Sequence, residues 1–186
     1  MLSRFAIAAC VAAVTTGCSD RFPTQPSPIS VPVQLSAARH ADGETHGFLT
    51  HLSGDEEVPV RDTEAQGQAL FQFNDVGGLD YTLLVANIEN VTQAHIHCGA
   101  FGSNGPITVW LYPSAPPSML IPGRSQGTLA EGTITGANVM PVVGNPACPG
   151  DITSFDDLIA KLQTGGAYVN VHTTQLPGGE IRGQID

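Results

Sequence analysis

Ala65-Gln66-Gly67-Gln68-Ala69-Leu70-Phe71-Gln72-Phe73 alternates residue by residue: Ala65, Gly67, Ala69, Phe71 and Phe73 on one side, Gln66, Gln68, Leu70 and Gln72 on the other. A period of two belongs to a strand with one buried face. Asn74-Asp75-Val76-Gly77-Gly78 is a cluster of turn residues, and after it Leu79, Tyr81, Leu83 and Val85 alternate with Asp80, Thr82, Leu84 and Ala86. Two alternating runs joined by such a cluster predict a β-hairpin.

Outward from the hairpin, further strands are expected at Gly47–Leu52, Thr92–His97, Ile107–Tyr112, Gly127–Thr135, Ala167–Thr173 and Glu180–Ile185. One helix interrupts them near 154–164. Ser154 with Asp157 makes a capping-box start, Phe155, Leu158, Ile159 and Leu162 fall at helical spacing, and Gly165-Gly166 stops the run. About eight short strands divided by turn signals predict an all-β domain over 44–186, a β-sandwich of Greek-key or immunoglobulin-like kind. A domain of roughly 140 residues can bury one core without an obligatory metal or disulfide.

Residues 1–17 read as a signal peptide of lipoprotein type. Met1-Leu2-Ser3-Arg4 is a short basic start, and Phe5 to Val14 is apolar but far short of the roughly 20 residues of a membrane span. Thr15-Thr16-Gly17 leads into Cys18, which resembles the lipidated cysteine of bacterial lipoproteins, although Thr15 stands where Leu is more usual. An ordinary secretory signal with an incidental Cys18 is the other reading. Ser19 after the cysteine favours the outer membrane or cell surface. Residues 18–43, with Pro23, Pro26, Pro28 and Pro32, read as a tether that holds the domain off a membrane.

The net charge is −10, with only seven Lys and Arg scattered along the chain. No basic stripe exists to track phosphates, so nucleic acid is not an expected partner. Membrane association would rest on the lipid of Cys18. Once Cys10 leaves with the signal and Cys18 takes the lipid, Cys98 and Cys148 remain, and in an exported protein such a pair most simply forms a disulfide. The sharper alternative makes Cys98 part of a His-x-His-Cys metal site. In a strand, however, Cys98 alternates away from the histidines.

His95 and His97 share a strand face with Gln93, while Ala94 and Ile96 point the other way. His172 lies opposite Val169 and Val171 in Ala167–Thr173. Three neutral imidazoles with an open position suit copper, zinc or nickel, and Glu180 could accept a hydrogen bond from one of them. The plain alternative has them bonding the Gly99–Pro106 loop or facing solvent. His51 is expected to be exposed, and His40 and His46 lie in or beside the tether.

Four motifs occur in order: Leu52-Ser53-Gly54 running to Glu57-Val58-Pro59, Ala94-His95-Ile96-His97, Ala167-Tyr168-Val169-Asn170-Val171-His172-Thr173, and Pro177-Gly178-Gly179-Glu180-Ile181-Arg182-Gly183-Gln184. Together they resemble the CHRD domain, named for chordin and also found in microbial secreted proteins. The resemblance spans residues 47–186 and implies an exported β-sandwich, but no activity. Val60 stands where a second proline is usual, and Cys98 where glycine is common. The latter marks the disulfide as a local addition.

Asp55-Glu56-Glu57 reads as a solvated loop or a loose Ca²⁺ site, and Gly99–Gly105 lacks the lysine and helix of a phosphate loop. The expected function is therefore a non-enzymatic binding or structural module of the cell envelope, recognising a protein or glycan. The alternative is a copper- or zinc-binding protein that uses His95, His97 and His172.

Overall fold

The computed structural model describes residues 38–39 and 45–185. The expected signal peptide, the lipidation site Cys18, most of the tether and His40 lie outside the described residues, as does the side chain of His46. The elements are β1 (Ala38–Arg39), β2 (Thr45–Ser53), β3 (Gln66–Phe73), β4 (Leu79–Cys98), β5 (Ile107–Tyr112), β6 (Ile121–Ile134), α1 (Phe155–Gln163), β7 (Ala167–Thr173) and β8 (Ile181–Ile185).

The hairpin of β3 and β4 forms as the alternation requires. Ala69 pairs with Leu83 and Phe71 with Tyr81, and all four side chains are buried. Asn74 closes the turn, its Oδ1 accepting from the backbone N–H of Val76 and of Gly78. Such side-chain capture of nearby amides is why Asn favours turns.

β4 does not stop at Ala86. The two strands expected at Leu79–Ala86 and Thr92–His97 are one strand of 20 residues. Asn87 and Asn90 adopt φ of 56° and 55°, and the register against β6 shifts around them. Asparagine tolerates this left-handed region better than most residues, so the chain bulges and bends where the sequence reads as a break. The first half of β4 pairs with β3 and β6, the second with β5 and β7.

That shared strand changes the architecture. The fold is mostly β with one short helix, but the expected pair of stacked sheets is replaced by one continuous sheet. Strands β2, β3, β4, β7 and β8 follow in order, and β8 returns to β2 through Ser53 and Arg182, which closes a five-stranded barrel. Strands β1, β5 and β6 add to it. Because bent β4 belongs to both halves, no break separates two sheets, and the barrel closes on itself while β1, β5 and β6 stay at its margins.

The apolar core joins Leu52, Phe71, Leu83, Ile88, Ile96, Val169, Val171 and Ile181 with Leu158 and Leu162 of α1. The helix starts as its sequence requires: Ser154 Oγ accepts from Asp157 N at 3.2 Å, and Asp157 Oδ2 accepts from Ser154 N at 3.0 Å. Among the described residues no helix is long and apolar enough to cross a membrane.

Candidate functional site

Register builds the site. Trp110 of β5 pairs with His95 of β4, His95 with Asn170 of β7, and Asn170 with Arg182 of β8, giving one row across four strands. In the neighbouring row His97 pairs with Tyr168, and Tyr168 with Gln184. Alternation puts these side chains opposite Ala94, Ile96, Val169 and Val171. Both faces are covered, so Ala94–Cys98 and all of β7 are buried. His95 is 0%, His97 8% and His172 6% exposed.

The three imidazoles converge. One nitrogen from each of His95, His97 and His172 lies within 4.8 Å of the others. His97 Nδ1 is 2.9 Å from the carbonyl of Gly105, and His172 Nδ1 is 3.0 Å from that of Pro177. A carbonyl can only accept, so both δ nitrogens carry the proton and both rings, when neutral, keep a lone pair on Nε2. His97 Nε2 is buried without a hydrogen-bond partner, and so is His95 Nε2. His172 Nε2 faces His95 Nδ1 at 3.2 Å and Asn170 Oδ1 at 2.9 Å.

Aromatic and cationic groups wall the cluster. Trp110 meets His95 edge to face at 4.3 Å between ring centres, although its own buried Nε1 has no partner. Tyr168 stacks on His97 at 4.9 Å and 6° between planes, and the Arg182 guanidinium lies 3.4 Å from the Tyr168 ring centre. Arg182, 1% exposed, donates to the carbonyl of Ala100 at 3.2 Å and to Gln184 Oε1 at 3.3 Å.

Burial sets the protonation. It lowers His95 to about 3, aided by repulsion from His172 and His97. It lowers His97 to about 4 against the opposing hydrogen bond to Gly105, and it lowers His172 as well. All three rings are therefore neutral near pH 7, the form that offers lone pairs.

The expected site residues separate clearly. Cys98 is bonded to Cys148, 50 residues away, so its sulfur is not free for an ion. Glu180 does not reach an imidazole: its carboxylate accepts from Thr63 Oγ1 at 2.8 Å and Thr173 Oγ1 at 2.7 Å, while backbone carbonyls orient the rings instead. His97 does bond the Gly99–Pro106 loop, as the plain alternative has it, but none of the three rings faces solvent. His51 is exposed. Glu57 is not the solvated loop residue expected. It is 3% exposed with Oε1 unpartnered, and burial raises its pKa, with lesser relief from Val58 N–H, Arg182, Arg61 and Asn170.

Trp110, Asn170, Tyr168 and Arg182 were not legible as site residues. Asn170 and Tyr168 share the face of His172 by simple alternation, which was a usable signal. Trp110 and Arg182 enter only through cross-strand register. Away from the cluster, an open surface pocket of about 560 Å³ gathers Asp62, Glu64, Glu89 and Glu180 around Arg124.

Among known families, the model described as the CHRD domain matches residues 48–185. No curated protein and no solved structure matches the chain.

Proposed function

The chain belongs to the CHRD family, and from that premise we propose that it is a binding or structural module of the cell envelope, exported and held to a membrane by lipid on Cys18. It acts by recognition rather than catalysis, and its partner is an envelope protein or glycan. The observation that carries this reading is the family match, which covers nearly all of the described residues. The apolar run before Cys18 and the proline-rich stretch after it support an exported, tethered chain. Closed β domains place recognition in the loops that a rigid barrel carries, and here those loops include Gly99–Pro106 with the exposed Phe101.

Labelling of growing cells with radioactive palmitate, followed by membrane fractionation, tests the tether. The wild type should carry label and sediment with membranes, and Cys18→Ala should do neither. Crosslinking in intact cells then tests recognition. A discrete crosslinked species is expected, and its absence with several crosslinkers would sink the module reading. A second reading, a copper- or zinc-binding protein, draws on the imidazole cluster and would add an ion to the module without replacing it.

A further inference from the structure

We propose that His95, His97 and His172 form a mononuclear, three-imidazole site for a transition-metal ion, copper ahead of zinc, roofed by Trp110. The site is independent of the envelope role and would stand if that role failed.

Four observations carry it. The ligand atoms come from two neighbouring strands and lie within 4.8 Å of one another. His95 Nδ1 and His172 Nε2 are 3.2 Å apart, close to the roughly 3.3 Å between two nitrogens that share a tetrahedral ion at about 2.0 Å. His97 and His172 each donate Nδ1–H to a backbone carbonyl, the outer contact that fixes the tautomer and aims Nε2 at a metal. Finally, the pocket holds more lone pairs than protons. A neutral His172 Nε2 has no hydrogen for Asn170 Oδ1 at 2.9 Å, and His97 Nε2 is buried with nothing to accept. Buried acceptors left unmatched are costly, and a cation between them removes that cost.

The donor set selects the ion. Three imidazoles meet in the cluster with the Asn170 amide oxygen beside them, a nitrogen-dominated donor set that does not suit calcium or magnesium, which take oxygen ligands. Imidazole suits copper, zinc and nickel, and copper(II) stands highest in the affinity order of divalent ions. The Arg182 guanidinium on the far side of Tyr168 adds positive charge nearby. That charge weakens any cation and leaves the strongest nitrogen binder the best occupant.

Trp110 is the single tryptophan of the chain and touches His95, so it reports on the site directly. The full chain, purified without a polyhistidine tag and stripped with chelator, is titrated with copper(II) sulfate and separately with zinc sulfate. Tryptophan emission is followed, and metal is counted after gel filtration. The expected result is about one retained copper per chain, with quenching that saturates at the same ratio and with zinc competing for it. His97→Gln should lose both signals, whereas His51→Ala, an exposed histidine on β2, should keep them. Retained copper near zero, quenching that never saturates, or an unchanged titration in His97→Gln would each overturn the site. The first outcome would mean that the Asn170 amide turns its Nδ2 to His172 and the pocket holds no ion. If His97→Gln does not fold, X-ray absorption of the copper-loaded wild type decides. Three imidazole nitrogens at about 2.0 Å are expected, and one or none overturns the proposal.

Discussion

His95 and His172 stand 77 residues apart in the chain, yet their ring nitrogens are 3.2 Å apart inside the protein. Neither ring can take up a proton there without placing a charge beside the other in a buried pocket. Metal-free protein should therefore be sensitive to acid. In an unfolded chain histidine protonates near 6.5, whereas folded His95 waits until about 3 and His97 until about 4. A depressed folded pKa gives stability that is fully present above the unfolded value and drains away as pH falls. Denaturant unfolding at pH 7 and pH 4 should differ by about 3 kcal/mol from His95 alone. A flat stability curve between those points would contradict the burial of the rings.

Glu57 shifts the other way. Its folded pKa is raised by burial, so folded protein binds that proton more tightly, and the contribution is lost as pH rises above the ordinary carboxylate range. Glu57→Gln mimics the neutral acid. At pH 7 the variant should be at least as stable as wild type. The advantage should shrink toward pH 4. Subtracting the two stability curves isolates this group from the histidines.

The bond between Cys98 and Cys148 closes a loop of 50 residues. In the chain-entropy account such a loop restrains the unfolded state by on the order of 4 kcal/mol. Cys148→Ala should lower unfolding free energy by about that amount, and dithiothreitol should do the same to wild type but nothing to the variant. Free-thiol counting before and after reduction checks the starting state.

Gly105 is the tightest backbone contact beside the site. A side-chain carbon there would collide with the carbonyl of Cys98, whereas one at Gly136 would meet nothing nearer than 3.9 Å. Gly105 also donates N–H to Tyr168 Oη at 3.1 Å and accepts from His97. Gly105→Ala should cost about 3 kcal/mol or more, and Gly136→Ala less than about 0.5 kcal/mol. Thermal melts of the two variants side by side would show it.

Much of this was legible in the residues because it is local. β5 and β7 fall where their apolar runs predict, and Ser154 with Asp157 caps α1 as read. The pairing of Cys98 with Cys148 was the simplest expectation for two such cysteines, and the two are bonded. What was not legible depends on three-dimensional register. Asn87 and Asn90 look like a stop, and only φ near 55° at both turns them into bulges within one strand. A sandwich follows from reading a stop there, and a closed barrel from reading a bend. The burial of Arg182 and Glu57 is similarly invisible, because charged residues in a polar motif give no sign of being 1% and 3% exposed.

The length of β4 also fixes an order of events during folding. Its first half meets β3 across a short turn, a contact the chain can find quickly. Its second half, with His95 and His97, can meet β5 across the Gly99–Pro106 loop, but its pairing with β7 must wait, and the barrel shuts only when β8 reaches β2. Distant pairings form late because the intervening chain has to be ordered first. Nascent or truncated protein without β7 would present an open strand edge with two histidines and no third. The complete imidazole triangle thus exists only once β7 has docked on β4, and its appearance would time-stamp that late step of folding.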